Sequence, residues 1–476
     1  MAENPFIIAG GGIGGLAVAL GLAKAGKHSL VLEQAERLGE IGAGIQIAPN
    51  AFNCFDFLGI GGALRENAVY IDRLRLMDAL SGEEICHIPL DEDFRKRFGN
   101  PYAVVHRADL HLALLEACRS SGKVEMRTRH AVCGYRQDEN VVFVHIENRD
   151  EIEGTALIGA DGLRSAERRQ MLNDDPPRVS GHTTYRSVIP TESMPEDLRW
   201  NAATLWAGPK CHIVHYPLKG WKVFNLVVTF HNDVREAVAG KPVSREEVEE
   251  GFEHIHPRPK QVIDHGTDWK LWVLCDRDPV RNWVDGRVAL LGDAAHPMLQ
   301  YFAQGACMAM EDAVSLSHRC RTETDLDKAL ALYLEDRMVR TSRVVIDSRL
   351  IGDHIYHPSR AAASVRNSVM GSFSPEEWYD RLEWLYQGGK PEGRFFTNLL
   401  QNSKKSESEL SGQIFQEEGR PGSFIFQVDV TPWCQFSLAF EIIRGFFSDM
   451  NFPGLAATFH PGGNVHCVTP DVKGVS

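Results

Sequence analysis

The stretch IIAGGGIGGLAVALGLAKAGKHSLVLEQ, residues 7–34, joins an apolar run, spaced glycines, a helix-forming segment and a second apolar run. This order predicts a strand, a tight turn, a helix and a parallel strand. Gly10 allows the turn, Gly12 lets the backbone approach a pyrophosphate, and Gly15 allows close packing of the helix on the strand. Glu33 follows the second run, where a carboxylate can accept hydrogen bonds from an adenosine ribose. The stretch therefore predicts a site for an ADP-containing cofactor, whose phosphates face the helix amino end, but it does not distinguish NAD from FAD.

The composition is that of a globular protein with a substantial core. The chain has 476 residues, of which 43% are hydrophobic, enough for two or three domains or one large α/β unit. Its net charge of −13 argues against a nucleic-acid or anionic-membrane partner, and no apolar stretch reaches transmembrane length. The ten cysteines form no C-x-x-C pair, which disfavours a metal site and a disulfide framework. Since MAENPF lacks the features of a signal peptide, we expect a cytoplasmic protein without metal, membrane or nucleic-acid ligands.

The distribution of apolar residues predicts a discontinuous cofactor domain. Between residues 181 and 275 the sequence becomes β-rich, with one charged helix in SREEVEEGFEHIH, and this texture indicates an inserted antiparallel sheet. We expect these parts: a cofactor domain of residues 1–180 and 276–350, a sheet domain of residues 181–275 joined by a hairpin near 73–90, C-terminal helices at 351–386, and an extension of unknown role at 387–476. The extension contains the polar NSKKSESELSGQ (402–413), typical of a linker, and a poorly ordered or artefactual segment is the alternative interpretation.

Two later motifs separate FAD from NAD. GADGLRSAERR contains Asp161 and Gly162, of which Asp161 is expected to hold the turn together, and LLGDAAHP contains Gly292 and Asp293. An NAD-dependent dehydrogenase, the alternative class, would use the glycine loop without either motif. In this order and spacing, the three motifs resemble the single-component flavin-dependent aromatic hydroxylases, the para-hydroxybenzoate hydroxylase-like group, over residues 5–386. The resemblance implies an α/β fold, in which a Rossmann-like FAD-binding domain carries an inserted, mostly antiparallel β-sheet substrate domain and C-terminal helices.

Within this group, the chain most resembles the 3-hydroxybenzoate 6-hydroxylases. The likeness is carried by stretches such as EIGAGIQIAPNAF (40–52), AGPKCHIVHYPL (207–218) and LQYFAQGACMAMEDA (299–313). It implies FAD and NADH as cofactors, a flavin C4a-hydroperoxide formed with O2, an aromatic acid as substrate, conversion of 3-hydroxybenzoate to gentisate, and a homodimer. Salicylate and 6-hydroxynicotinate hydroxylases share much of the pattern and remain alternatives, as does a flavin-binding module without catalysis. Because the chain has no second G-x-G-x-x-G, we expect NADH to dock transiently at a surface groove.

His212 is the candidate base that takes the phenol proton. Its unperturbed pKa lies near neutrality, and the resemblance places its strand, CHIVHYPL, in the substrate pocket. Strand alternation puts His212 and Tyr216 on one face and His215 on the other, where a structural role is expected. Gln300 is the second candidate, since its amide can donate or accept a hydrogen bond at the phenol oxygen, although the neighbouring Tyr301 could equally occupy that position.

Three further residues are candidate substrate contacts. Tyr102 and Tyr216 lie close to predicted strands, where a tyrosine can line a pocket or simply belong to the core. Arg186 could pair with the substrate carboxylate through its guanidinium fork, with a structural salt bridge as the alternative interpretation.

The cofactor contacts complete the predicted site. Glu33 is expected at the adenosine ribose, and the resemblance implies Arg107, in HRADLH, near the flavin's phosphate or ribityl region and Asp293 at the ribityl chain. Gly305 and Ala306 begin a predicted helix whose N–H groups can face the pyrimidine edge of the flavin and stabilise its anionic reduced form.

Overall fold

The structure is a computed structural model. The described residues are 4–39 and 44–388, with the backbone alone of 457–459 and 465–467. Contacts separate the chain into two compact units, Met1–Phe424 and Ile425–Ser476. The predicted boundaries within residues 1–386 fall inside the first unit and stay a prediction. The predicted extension at 387–476 lies outside the described residues, apart from its first two residues and two short strands that pair antiparallel with each other.

Helices separate runs of one to five strands up to about residue 290, and the described residues from 305 to 388 are mainly helical. The described strands are β1 (Phe6–Ala9), β2 (Ser29–Leu32), β3 (Gly44–Ile47), β4 (Val69–Tyr70), β5 (Arg73–Asp78), β6 (Glu84–Pro89), β7 (Ala103–His106), β8 (Val124–Arg127), β9 (Val132–Gln137), β10 (Val142–Ile146), β11 (Ile152–Gly154), β12 (Ala156–Gly159), β13 (Arg178–Pro190), β14 (Ala202–Gly208), β15 (Cys211–Leu218), β16 (Val223–His231), β17 (Ala239–Pro242), β18 (Lys270–Asp276), β19 (Val284–Asp285), β20 (Val288–Leu290), β21 (Ala457–Phe459) and β22 (Val465–Cys467). The described α-helices are α1 (Ile13–Lys24), α2 (Pro49–Leu58), α3 (Gly61–Asn67), α4 (Glu92–Phe98), α5 (Arg107–Ser120), α6 (Ala166–Leu172), α7 (Arg245–Glu249), α8 (Pro257–Asp264), α9 (Gly305–Thr322), α10 (Leu326–Ile351), α11 (Ala361–Gly371) and α12 (Pro375–Tyr386).

A six-stranded sheet carries the glycine loop. Its order is β19-β20-β12-β1-β2-β8, and every neighbouring pair is parallel except the edge pair β19 and β20. Strands β1 and β2 are buried at all their positions, as expected for strands covered on both faces. Each of the three sequence motifs, and also Glu33, directly follows the carboxyl end of one of these parallel strands. Ligands bind at that edge in open α/β sheets, so the sheet collects the motifs at one place.

An eight-stranded sheet provides the second layer, in the order β17-β18-β13-β16-β15-β14-β5-β6. Its neighbours are antiparallel except for the parallel pair β14 and β5. The hairpin predicted near residues 73–90 is β5 and β6, and it joins this sheet as expected. One face of the sheet packs into a hydrophobic core that includes Tyr185, Ile213 and Val228. The other face remains to form a site.

The prediction of one charged helix throughout SREEVEEGFEHIH was wrong in the extent of the helix. Helix α7 ends at Glu249 and a 3-10 turn, Glu250–Phe252, follows it. A second helix, α8, begins at Pro257, where the fixed φ of proline suits the first turn, and the His256 side chain accepts a hydrogen bond from the Arg258 amide at 3.2 Å. Because the residue before a proline disfavours the α conformation, the charged run cannot continue through residue 256 as a single helix.

The C-terminal helices lie against the cofactor side and then return to the eight-stranded sheet. Helix α9 packs on α1, α2 and α10. Helix α10 continues into a π-helical turn, Gly352–Tyr356, that contacts β14. Single π-helical turns are frequent at functional sites, and here the turn brings Tyr356 and His357 onto the open face of the sheet.

Candidate active site

The glycine loop has the geometry that its spacing predicts. Gly10 has φ +104°, and a Cβ at this position would lie 2.5 Å from the Ala160 carbonyl oxygen, so only glycine fits. Gly12 is the N-cap of α1, and no side chain caps the amides of its first turn. A Cβ on Gly15 would collide with the Gly10 carbonyl, which is the close packing expected of this glycine. The loop thus presents free amide donors at a helix amino end, the type of site that binds phosphate.

Glu33 is held beside this loop by two backbone amides. Its Oε2 accepts a hydrogen bond from the Gly11 amide at 2.8 Å, and its Oε1 accepts one from the Ala35 amide, also at 2.8 Å. On the other side of the loop, Nε2 of the buried His111 lies 2.8 Å from the Gly11 carbonyl oxygen. His111 is a loop-positioning residue that the sequence analysis missed, since it stands 100 positions away.

A recess of about 500 Å³ opens next to Glu33. Its lining consists of Arg37, Leu38, Arg119, Val124, Met126 and Thr128. Leu38 also lies against Gly11, so one wall residue of the recess touches the glycine loop.

The second and third motifs are turns locked by buried carboxylates. Asp161 Oδ2 accepts a hydrogen bond from the Ala166 amide at 2.8 Å, so it holds its turn together. In the third motif, Asp312 Oδ2 accepts a hydrogen bond from the Gly292 amide at 2.9 Å and lies 2.6 Å from Nε2 of His296. The locked turn leaves the side chain of Asp293 exposed at the edge of the sheet, where a ribityl hydroxyl could reach it.

Helix α9 begins as predicted, at Gly305. No side chain caps its first turn, and a Cβ on Gly305 would meet nothing within 4 Å, so the helix start faces open space. Behind it, Asn50 Nδ2 donates to Gln304 Oε1 at 3.0 Å and to Glu311 Oε1 at 2.8 Å. Burial would raise the pKa of Glu311, but Arg340 and Arg337 lower it to about 2, so the support is a fixed ionic cluster.

These donor and acceptor groups fit FAD. The uncapped α1 start suits its diphosphate, Glu33 its adenosine ribose, Asp293 its ribityl chain and the α9 start its pyrimidine edge. Arg107, the other predicted contact, is the first residue of α5 and half-buried. It lies close enough to Arg186 to contribute to the lowering of the pKa of that residue.

The register of the eight-stranded sheet puts the predicted substrate contacts on one face. His212 pairs with Thr229 of β16, which in turn pairs with Thr184 of β13. Tyr216 lies four residues beyond His212 and Arg186 two beyond Thr184, so both point to the same side as His212. Cys211 and Ile213 belong to the core on the opposite side.

His212 is buried and paired through one nitrogen only. Its Nδ1 lies 2.8 Å from Nε2 of His357, whereas its Nε2 has no hydrogen-bond partner among the described residues. Its ring packs against Tyr301 and Tyr356, with centroid distances of 5.5 and 4.9 Å. Burial, together with His357 and His182, holds the pKa of His212 well below its usual value, so the ring is neutral at pH 7.

Gln300 and Arg186 meet on this face. Gln300 Nε2 donates to the Thr229 and Thr184 hydroxyls at 3.1 and 3.3 Å, and its Oε1 accepts a hydrogen bond from Arg186 Nη2 at 3.3 Å. Since Thr229 is the register partner of His212, Gln300 sits beside the proposed base. Neither threonine was predicted, because a hydroxyl gives no signal in an alternating strand.

Arg186 has no acidic partner among the described residues. Burial lowers its pKa, Tyr216 opposes this shift and Arg107 adds to it. Its Nε is buried without a hydrogen-bond partner, and its guanidinium lies 5.3 Å from the centre of the Trp272 ring. The alternative interpretation, a structural salt bridge, is therefore not seen in the described part of the chain. A guanidinium N–H that the described residues leave unpaired suits an anion that comes from outside the chain.

The two predicted pocket tyrosines are neighbours. The Tyr102 hydroxyl donates a hydrogen bond to Gln46 Oε1 at 2.8 Å. Burial raises the pKa of Tyr102 well above its usual value, and Tyr386 is the next-largest cause of this rise. Burial also raises the pKa of Tyr216, against the opposing effects of Arg186 and Asn225. Both hydroxyls stay protonated at neutral pH; that of Tyr102 is committed to Gln46, which leaves the Tyr216 hydroxyl as the candidate donor.

Cysteine chemistry is not supported at this site. Burial raises the pKa of Cys211 to about 12 and that of Cys307 to about 12. Over the described residues, no group of three or more His, Cys, Asp or Glu side chains is arranged to hold a metal ion. Within the same part of the chain, no helix has the length and apolar character that a membrane crossing requires.

Comparison with known proteins agrees with the geometry. The family model described as "FAD binding domain" matches residues 3–345. The chain is 54% identical over 384 residues to 3-hydroxybenzoate 6-hydroxylase 1 of Aquipseudomonas alcaligenes, covering 81% of this chain and 98% of the relative. It is 50% identical to the 3-hydroxybenzoate 6-hydroxylase of Polaromonas naphthalenivorans (strain CJ2), covering 81% of this chain and 96% of the relative.

A solved structure shows the same architecture. A single-residue variant of HpxO from Klebsiella pneumoniae, complexed with FAD, matches with a TM-score of 0.73 and 25% identity, covering 81% of this chain and 99% of that one. These similarities, with the fit of the residues, decide between the two cofactors that the glycine loop left open. The chain belongs to the FAD-dependent aromatic hydroxylases, the flavin monooxygenase family that includes the 3-hydroxybenzoate 6-hydroxylases.

Proposed function

We propose that this chain uses NADH and O2 to hydroxylate 3-hydroxybenzoate para to its phenol, giving gentisate. The observation that carries the proposal is that one face of the sheet holds both an imidazole nitrogen, Nε2 of His212, and a guanidinium N–H, Nε of Arg186, that have no hydrogen-bond partner among the described residues. The names of the relatives at 54% and 50% identity support the same substrate. When bound, FAD supplies electrons from NADH and activated oxygen to this face.

The spacing of the two groups suits a phenol and a carboxylate at separate ring positions. His212 and Arg186 stand two strands apart and two residues out of register. Strand spacing and rise put their backbones about 12 Å apart, a gap that a small aromatic acid can fill between the two side chains. In salicylate the hydroxyl and the carboxylate are adjacent and form a hydrogen bond with each other. The separation of His212 from Arg186 therefore favours 3-hydroxybenzoate over salicylate.

The protonation state of His212 determines which proton transfer it can make. Because its ring is neutral and Nε2 is open, it can accept the phenol proton, with Gln300 as a second contact to the phenol oxygen. Loss of that proton pushes electron density onto the ortho and para ring carbons. Fixing the phenol oxygen at His212 and the carboxylate at Arg186 would select the para carbon. The buried tyrosines Tyr102 and Tyr216 would exclude water, which protects the activated oxygen.

A panel of hydroxylated aromatic acids tests the proposal. Holoenzyme is mixed with each acid and with NADH or NADPH, and cofactor consumption is compared with hydroxylated product. We expect coupled turnover with 3-hydroxybenzoate, faster flavin reduction by NADH than by NADPH, and flavin released entirely by acid precipitation because it is not covalently attached. If only salicylate or only 6-hydroxynicotinate gave coupled turnover, that compound would replace 3-hydroxybenzoate as the proposed substrate. A colourless protein or one that never oxidises NADH with any phenol would overturn the proposed function.

A further inference from the structure

His212 is bonded to a second histidine, the half-buried His357, to which no sequence motif points. The planes of the His212 and His357 rings differ by 28° and their centroids are 5.0 Å apart, so with Nδ1 and Nε2 2.8 Å apart the rings meet edge to edge. His357 directly follows the π-helical turn Gly352–Tyr356, and its amide donates to the Gly352 carbonyl at 3.0 Å. The turn therefore fixes the second imidazole against the first, 145 residues away in sequence.

The bond between the two imidazoles has one donor and one acceptor, and this couples the outer nitrogens. In the bond one nitrogen must carry the proton, either Nδ1 of His212 or Nε2 of His357. Both rings are neutral at pH 7, since burial holds the pKa of His212 far below normal and lowers that of His357 to about 3. When His212 donates through Nδ1, its Nε2 is an acceptor and Nδ1 of His357 carries a proton. These two outer nitrogens are buried without partners among the described residues.

The surroundings offer no competing acid. Neither His212 nor His357 has a carboxylate partner in the described part of the chain. The titratable and charged groups around the pair are Tyr301, Tyr356, His182 and His231, with Arg178 and Asp353 beyond them. The two tyrosine hydroxyls are already engaged, Tyr301 with Nδ1 of His182 at 2.5 Å and Tyr356 with the Tyr301 carbonyl at 2.9 Å.

We propose that His357 is the proton-accepting partner of His212, so that the two imidazoles carry the phenol proton out of the buried site as a relay. The inference rests on the proposed function. The phenol proton moves to Nε2 of His212, the proton on Nδ1 of His212 moves to Nε2 of His357, and the proton on Nδ1 of His357 leaves past the His182 and His231 rings to solvent. One phenolate and one solvent proton result, each ring changes tautomer, and neither ring has to remain charged. The reverse sequence resets both tautomers when product leaves.

An exit lies on the far side of His357. The His182 ring stands 5.1 Å from that of His357 and 4.3 Å from that of His231. The His231 side chain is 33% exposed, and its Nε2 lies 3.3 Å from Asp233. The line of rings thus leads from His357 to the partly exposed His231.

The test measures proton release without oxygen chemistry. Anaerobic holoenzyme without NADH is mixed with 3-hydroxybenzoate in weak buffer containing a pH-indicator dye, and flavin absorbance reports binding in the same trace. In the wild-type protein, we expect about one proton released per bound ligand. His357→Gln keeps a hydrogen-bonding group beside His212 but cannot pass a proton. It should slow release by about 10²-fold, the lower end of general-base assistance, with ligand binding retained.

Two controls separate a relay from a structural role. His357→Ala should be equally slow, and added imidazole should restore its rate by filling the space that the ring left. His215→Gln, on the opposite face of β15, should release the proton at the wild-type rate. Wild-type release rates in both His357 variants, with the flavin signal of binding present, would overturn the relay. Absence of binding and of proton release in the wild-type protein would instead overturn the proposed function.

Discussion

His212 and His215 lie on the same strand, both fully buried, but only one of them can act as a base. His215 Nε2 accepts a hydrogen bond from the Trp206 indole at 3.1 Å. Because an indole N–H only donates, this nitrogen is committed as an acceptor and the ring proton sits on Nδ1. His212 is bonded to another imidazole, which can donate or accept, and its Nε2 is open. Burial and residue type are the same for both, so the partner decides which histidine can take a proton.

The two faces of the sheet differ in the same way. The face of His215 packs Cys211, Ile213 and Val228 into an apolar core. The face of His212 carries a hydroxyl pair joined by Gln300 and an arginine without an acid. Polar groups that the chain itself leaves unpaired are costly, and such groups persist where an external ligand completes them.

The largest expected effect is at the base. His212→Ala should reduce hydroxylation by about 10²–10⁴-fold, the usual worth of general-base assistance, while NADH still reduces the flavin. Oxygen uptake should then appear mainly as hydrogen peroxide. Product analysis together with peroxide detection checks this. Normal product yield would show that His212 is structural and that the contrast with His215 has no catalytic meaning.

The second-largest expected effect is on binding of the substrate carboxylate by Arg186. Arg186→Met should raise KM for 3-hydroxybenzoate by roughly 10–100-fold, the equivalent of one hydrogen bond to a charged group. The variant should fold as well as the wild-type protein, since the lost guanidinium has no acidic partner in the described residues. Turnover of 3-hydroxybenzyl alcohol, which lacks the carboxylate, should change little. Equal losses with both compounds would assign Arg186 to the core.

A smaller effect is the dependence of stability on pH. Burial lowers the pKa of His215 to about 3, and the positive charge of Arg75 adds to this effect. Burial also lowers the pKa of His182 to about 4, with His231 as the next-largest cause. Between about pH 6.5 and these folded-state pKa values, the histidines are protonated in the unfolded chain but neutral in the folded chain. The free energy of unfolding therefore falls as the pH falls. Each such histidine contributes roughly 1 kcal/mol per pH unit in that window. Denaturant unfolding of wild type and His215→Gln at pH 7.5 and 5.5 measures this, and an unchanged slope in the variant would contradict it.

The smallest expected effect on catalysis is that of His215 itself. His215→Gln should lower stability by about 1–3 kcal/mol, because the flexible glutamine amide does not hold its acceptor where Nε2 of the buried ring meets the Trp206 indole. Its kcat and coupling of NADH use to product should stay near wild type at a temperature where it is folded. A coupling defect comparable with that of His212→Ala would erase the distinction between the two faces.

Local patterns predicted those parts of the molecule that are held by near neighbours in sequence or by strand periodicity. The spacing of Gly10, Gly12 and Gly15 was enough to predict the loop, and the two-residue period of β15 separated His212 from His215. The contact of Gln300 with Arg186 spans 114 residues, and that of His212 with His357 spans 145. Such contacts depend on sheet order and on the π-helical turn after α10, neither of which leaves a local signal. Pro257 could have shown that the helix of the charged segment ends before residue 256 and that a new helix begins at Pro257.

The central claim is that this face hydroxylates the ring of 3-hydroxybenzoate and leaves its carboxylate in place. The most direct measurement is a mass spectrum of the product after incubation of holoenzyme with 3-hydroxybenzoate, NADH and isotopically labelled O2. We expect gentisate that carries one labelled oxygen and retains the carboxylate. Catechol formed from salicylate as the dominant turnover, with 3-hydroxybenzoate inert, would contradict the substrate and the roles of His212 and Arg186.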